Sequence, residues 1–454
     1  MDAVFLARIQ FAITVGFHFI FPPLTIGMAW LIFWMKVKAL RTGDEQYQRM
    51  SQFWLRLFAL SFAIGVATGI TMEFQFGTNW SEYSRYVGDI FGAPLAAEGV
   101  LAFFLESTFM GLLLFAEKRL SPRMHVVSAF MVAFGATLSA FWIIVANSWQ
   151  QTPAGYEIVN GRAELTDFFG ALFNPSTMPR YTHTVSGALI TGSFFVLGIS
   201  AFYLLRKRHE EFAKRSFRMA LILAFVVSLA QLGTGHYHAV QVAETQPVKL
   251  AAFEGLFETQ RGAPLLFFGI PNEEEGRTEA AVGVPGGLSL LVDFDSSHEV
   301  PGLDAVPRDQ WPPVRATFFP FHIMFLVGLF FIGYTGLGVI LLWRRKLFNL
   351  ESGLSRLMLK VAVIAVPLPF LANELGWMAA EVGRQPWAVQ GLLRTSDAVS
   401  VTVPASQILF SIIMFCLIYA LLFALWIFLL RQKIRLGPEA ASAEAEEERG
   451  EVAA

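Results

Sequence analysis

Nine stretches of this chain are apolar over about 20 residues each, enough for a helix to cross the roughly 30 Å hydrocarbon core of a bilayer. They fall at about residues 11–35, 52–74, 93–116, 125–147, 183–205, 217–236, 317–343, 358–381 and 405–430. Backbone polar groups find no water inside a bilayer, so runs of this length must be helices that satisfy their own hydrogen bonds. Composition agrees: 55% of the 454 residues are hydrophobic and 15% charged, against about a quarter charged in soluble domains. The expected fold is an all-α integral membrane protein with nine transmembrane helices.

Lysine and arginine collect after spans 1, 3, 5, 7 and 9: Lys36, Lys38, Arg41 and Arg49; Lys118, Arg119 and Arg123; the run RKRHEEFAKRSFR at 206–218; Arg344, Arg345, Lys346, Arg356 and Lys360; Arg431, Lys433 and Arg435. The positive-inside rule then puts the N-terminus outside and the C-terminus in the cytoplasm. Span 1 has no basic region before it and no small-residue cleavage site after it, so it reads as retained. The organisation expected is helices 1–6 within 1–236, an outer loop at 237–316, helices 7–9 within 317–435, and a disordered acidic tail at 436–454. In the loop, QPVKLAAFEGLF suits a short amphipathic helix, and PNEEEG, VPGG and DSSHEVPG read as turns. The single cysteine, Cys416, permits no internal disulfide. A net charge of −2 with no separate basic patch points away from nucleic acid.

Ionisable groups at membrane depth are costly and usually face a cavity, a partner or a cofactor. Glu98 and Glu106 would lie within about 80° of each other on a regular helix, beside Ser107 and Thr108 and within reach of Ser139 in the next span. Such a track suits proton movement; the plainer reading is a pair of buried neutral carboxyls. His18, His183 and His322 fall in or at the edges of spans, as does Met324. A lone membrane histidine more often satisfies a hydrogen bond than a metal. A histidine and a methionine on two helices, though, can ligate opposite faces of a low-spin haem iron. The histidine patterns of di-haem cytochrome b bundles and of haem–copper oxidases are both missing. His236 and His238, at the expected end of span 6, are read as helix caps in preference to quinone contacts. Near the end of span 8, Glu381 and Arg384 stand between Trp377 and Trp387, either as an interfacial anchor or as a buried i,i+3 pair.

IQFAITVGFHFIFPPLTIG (9–27), GAPLAAEGVLAFFLESTFMG (92–111), HTVSGALITGSFFVLGISAFYL (183–204), TQPVKLAAFEG (245–255) and GWMAAEVGRQPW (376–387) together resemble subunit I of the cytochrome bd-type quinol oxidases. The short loop after span 6 is similar to that of the branch containing the cyanide-insensitive enzymes. The resemblance implies two haems b and one haem d, or haem b in place of haem d. His183 and Met324 would ligate the low-spin haem b, Glu381 the high-spin haem b, and His18 the oxygen-reducing haem, with Glu98 near its other face. It implies that Lys249 and Glu254 bind quinol, that Glu106, Ser107 and Ser139 carry protons from the cytoplasm, and that Trp377 and Arg384 line a haem pocket. Lys249 and Glu254 would sit about 140° apart on a regular helix, so the turn breaks or they serve different parts of the site. His322 stands where long-loop members carry an arginine. The implied protein is a terminal respiratory oxidase in a bacterial or archaeal cytoplasmic membrane, multi-pass, with a second subunit and in some cases a very small single-span one. It would oxidise quinol outside and reduce dioxygen with cytoplasmic protons, building a proton gradient without pumping. The rival reading is a haem-free proton-coupled transporter.

Overall fold

The computed structural model describes residues 2–116 and 119–451, with side chains through Glu439. Lys118 and the acidic side chains beyond Glu439 therefore lie outside the described residues. Among the described residues fifteen α-helices follow one another: α1 (Ala3–Phe19), α2 (Phe21–Thr42), α3 (Glu45–Thr78), α4 (Ser81–Ala97), α5 (Phe104–Phe115), α6 (Pro122–Gln151), α7 (Phe168–Leu172), α8 (Thr177–Leu205), α9 (Glu210–Thr245), α10 (Pro247–Glu254), α11 (Gly287–Asp293), α12 (Val314–Trp343), α13 (Gly353–Ile364), α14 (Leu368–Val382) and α15 (Ala405–Glu451, non-helical at Gly437). Eight helical units among the described residues are long and apolar enough to span, and α13 with α14, bent by 48°, passes the same test as a pair, either as a ninth, broken span or as a re-entrant loop. The break follows from Pro367 and Pro369, which remove two backbone donors from the turn.

Span lengths exceed the apolar windows. The first unit runs from Ala3 to Thr42, divided at Ile20 because Pro22 and Pro23 start a new helix. The third, Ser81–Phe115, is α4 and α5 joined by a π-helical stretch at Glu98–Phe103, just after Pro94. The sixth ends at Thr245 and not near 236, which overturns the reading of His236 and His238 as caps: both lie inside α9. Polar residues there stay helical because tertiary partners take them up, as when Gln241 donates to Ser176 Oγ at 3.0 Å.

Position in the bundle follows burial. The apolar window of the unit containing α8 is 83% buried and that of α15 17%, so α8 is central and α15 peripheral. α2 crosses α8 at Gly27 and Gly192, where a Cβ on Gly27 would lie 2.8 Å from the Gly192 Cα. Only glycine permits so close a backbone approach. Around that crossing, Phe21, Met28, Trp54, Phe194 and Phe217 form the main apolar core. α15 packs on α1 through Phe17 and Tyr419, stacked at 4.4 Å.

The segment between α9 and α12 forms a small layer of its own. α10 stacks Phe253 on Phe321 of α12 at 4.7 Å. Leu250, Phe257, Leu288 and Leu303 join Val242 of α9, Val314 of α12 and Ala379 of α14 in one apolar cluster. The short helix is as expected. The stretch read only as turns instead contains an antiparallel hairpin, 265–272 with 277–284, turning within PNEEEG. Thr278 ties it to α10 by donating to the Gly255 carbonyl at 2.7 Å.

Candidate functional site

Glu381, near the end of α14, is the meeting point of four donors. Arg384 Nη2 pairs with its Oε2. Asn147 Nδ2 and Gln151 Nε2, both from α6, donate to Oε1 at 3.1 and 3.2 Å, and Arg180 Nη2 of α8 lies 3.6 Å from the same oxygen. Arg384, 6% exposed, also donates to the Trp387 carbonyl at 2.6 Å and to the Ala388 carbonyl, so it pins the chain that leaves the helix. The buried-pair reading of Glu381 and Arg384 holds, against the interfacial anchor. Trp377, one turn before Glu381, packs on Phe11 of α1 at 6.5 Å. Arg180, Asn147 and Gln151 were not singled out in the sequence. An arginine three residues before His183, at the edge of a span, was the available signal for the first.

On α10 both Lys249 and Glu254 are buried, at 4% exposure each. The helix is regular, and the two point to different surroundings, as their spacing allowed. Lys249 Nζ donates to Gln151 Oε1, and to Gln246 Oε1 at 2.9 Å. Burial and the nearby Arg180 depress its proton affinity well below that of an ordinary lysine. Burial pushes the Glu254 carboxyl up to about 8, against a hydrogen bond from the Leu266 backbone. Its Oε2 is buried with no partner. His322 faces this layer: its Nε2 lies 3.1 Å from the Leu266 carbonyl and its Nδ1 3.0 Å from that of Phe318. A neutral imidazole can donate to only one of the two.

Each of the other ligand-type side chains faces a glycine. His18, whose Nδ1 lies 2.9 Å from Thr68 Oγ1, has Gly69 opposite, where a Cβ would come within 3.2 Å of the ring. His183 of α8, held by the Gln231 amide at 3.1 Å and 5.6 Å from the His238 ring, faces Gly235 at 3.5 Å. Met324 Sδ lies 2.6 Å from where a Cβ on Gly376 would be. Among the described residues no three His, Cys, Asp or Glu converge as a metal cage. These glycines let each side chain pack directly on a neighbouring helix, and a porphyrin iron needs only one or two protein ligands. At Glu381, Oε2 accepts from Arg384 alone and keeps a lone pair. Arg384 Nε is buried and unpartnered, and the positive surplus of Arg180 and Arg384 over Glu381 suits an anionic group such as a haem propionate.

The carboxyl track gathers against α6. Ser139 Oγ donates to Glu98 Oε1 at 2.7 Å. One turn along α6, a Cβ on Gly135 would lie 3.1 Å from the Glu106 Cβ. Both residues therefore lie against α6, in spite of the intervening π-helical stretch, a feature often found at functional sites. Ser107 Oγ is buried without a partner. No hydrogen bond or ion pair among the described residues joins His18 to Glu98.

Known proteins resemble this chain along nearly its whole length. Residues 6–438 match the family model for cytochrome bd terminal oxidase subunit I. The chain is 43% identical to cytochrome bd ubiquinol oxidase subunit 1 of Bacillus subtilis (strain 168), covering 97% of this chain and 95% of that one. It is 37% identical to cytochrome bd-II ubiquinol oxidase subunit 1 of Escherichia coli (strain K12), covering 98% of both. The solved structure of bd oxidase from Geobacillus thermodenitrificans superposes with a TM-score of 0.89 at 29% identity, over 96% of this chain and 99% of that one. A match over nearly the whole length, in sequence and in fold, means that the chain belongs to the cytochrome bd terminal oxidase subunit I family.

Proposed function

We propose that the chain is the quinol-oxidising, haem-bearing subunit of a terminal respiratory oxidase in a bacterial or archaeal cytoplasmic membrane. Its N-terminus is outside and the 237–316 loop faces outward. Its partners are a second membrane subunit and, in some assemblies, a very small single-span one. The supporting observation is a lysine and a carboxyl, both buried on one short loop helix, docked over the span that carries Glu381. Lys249 orients one quinol oxygen. Glu254, pushed up to about 8, exchanges the quinol proton near neutral pH and passes it outward.

His183 and Met324 would hold a low-spin haem b, Glu381 a high-spin haem b, and His18 a haem d or b. Bound there, haem iron supplies the one-electron chemistry and the reduction of dioxygen to water. The chain's own part on the other side is proton delivery: Glu106, Ser107, Glu98 and Ser139 line a route from the cytoplasm. Arg180 and Arg384 pair with Glu381 in a buried site. Taking protons from one side and releasing them on the other makes turnover electrogenic without a pump.

The test is oxygen uptake by the assembled oxidase with a quinol and with an artificial electron donor. Lys249→Ala should raise the quinol concentration needed for half-maximal rate and leave the artificial donor effective. Equal impairment with both donors would refute the quinol assignment. A purified complex without porphyrin absorbance would favour the proton-coupled transporter.

A further inference from the structure

Lys249 and Glu381 lie on separate elements, α10 and α14, and one side chain joins them. Gln151, the last residue of α6, accepts at Oε1 from Lys249 Nζ, and from Gln246 Nε2 at 3.1 Å. Its Nε2 donates to Glu381 Oε1 at 3.2 Å. The amide cannot be turned around. The Glu381 carboxylate, ion-paired with Arg384, only accepts, so reversal would oppose acceptor to acceptor. Gln151 is 1% exposed, so water does not compete, and in such a setting hydrogen bonds in series polarise one another.

We propose that Gln151 is a positioning residue that couples occupancy of the quinol site to the ligand strength of Glu381. The inference rests on the assignment of quinol to Lys249. A quinone or quinol headgroup that takes a hydrogen bond from Lys249 withdraws a donor from Gln151 Oε1. The amide is then less polarised, its N–H donates less strongly to Glu381, and the carboxylate becomes more basic toward whatever it ligates. Linkage makes the effect reciprocal: a change of charge at the Glu381 site alters affinity at Lys249 by the same factor. The Gln246 bridge supports the geometry from the loop side, since its Oε1 holds the same Nζ while its Nε2 holds the same Oε1.

The experiment uses the purified holo-oxidase and two probes separately, decylubiquinone and menadione. The absorption of the high-spin haem is recorded with and without probe, and probe affinity is measured in the oxidised and the reduced protein. In the wild type, the probe should shift the high-spin absorption, and affinity should differ between redox states by about fivefold or more. Gln151→Leu should abolish both effects while the probe still binds. Gln151→Asn, which keeps an amide one methylene too short to span the gap, should do the same and serves if the leucine variant does not assemble. Wild-type shifts in both variants would overturn the coupling. If neither probe binds the wild type, or if both bind wild type and Lys249→Ala equally, the quinol assignment fails first and the coupling with it.

Discussion

Replacing Arg384 by leucine is the sharpest structural test of the Glu381 junction. The guanidinium makes three contacts, to Glu381 Oε2 and to the carbonyls of Trp387 and Ala388, and it is 6% exposed. Removing one partner of a buried ion pair typically costs about 3–5 kcal/mol. Here Glu381 keeps Asn147, Gln151 and Arg180, so the lower end applies, about 3 kcal/mol. The loss falls on the segment that Arg384 holds in place. Its amides bond Trp387 to the Arg384 carbonyl, Gln390 to the Gln150 carbonyl and Thr395 to the Pro386 carbonyl. Since every 1.4 kcal/mol is tenfold, amide hydrogen exchange there should quicken by about 100-fold. Arg180→Leu removes an ion pair 3.6 Å long and the bonds to Asn147 but leaves Arg384 on the carboxylate. Its effect on those amides should be about tenfold or less. Exchange measured by mass spectrometry on both variants decides the matter. Unchanged rates in Arg384→Leu, or a larger effect from Arg180→Leu, would refute the assignment of Arg384 as the principal partner.

Gly376→Ala places a methyl 2.6 Å from Met324 Sδ, so the thioether must move. The low-spin absorption should weaken although no ligand is deleted, and an unaltered reduced spectrum would mean that Met324 ligates nothing. Glu106→Gln preserves size but cannot release a proton; with haem content intact, oxygen-driven haem oxidation should slow by on the order of 100-fold, and full turnover would exclude the carboxyl route. Glu254 is pushed up from the ordinary 4.5 to about 8. Its contribution to loop docking is therefore complete below 4.5 and lost as pH rises through about 8. Protection factors across residues 247–256, which correct for the base-catalysed rise in intrinsic exchange, should fall over that window and become flat in Glu254→Gln. Lys249, depressed on the same helix, would give the opposite slope, so rising protection at higher pH would identify the lysine as the dominant group.

Parts of the site were legible because membrane burial penalises polar side chains so heavily that each survivor stands out. Glu98, Glu106 and the Glu381–Arg384 pair stand out in this way, and the structure finds Glu106 and Arg384 buried; Lys249 and Glu254, in the outer loop, were legible only through the family resemblance. Asn147 and Gln151 did not stand out, because a neutral amide at the end of an apolar run looks like ordinary interfacial polarity. Their role exists only through Glu381, more than two hundred residues away in sequence. His238 shows the opposite error: its position past the last apolar window suggested a cap, yet α9 continues to Thr245 because the loop layer packs against Val242.

What the residues alone determined was the class of fold and the inventory of costly groups. A bilayer admits few solutions, and hydropathy is summed over whole helices, so a one-dimensional pattern suffices for both. Which helix is central, which glycines let α2 and α8 touch, and which amide bridges Lys249 to Glu381 were decided only by packing. Those contacts join segments remote along the chain, and a hydrogen bond's existence depends on ångström-scale placement that no local preference encodes.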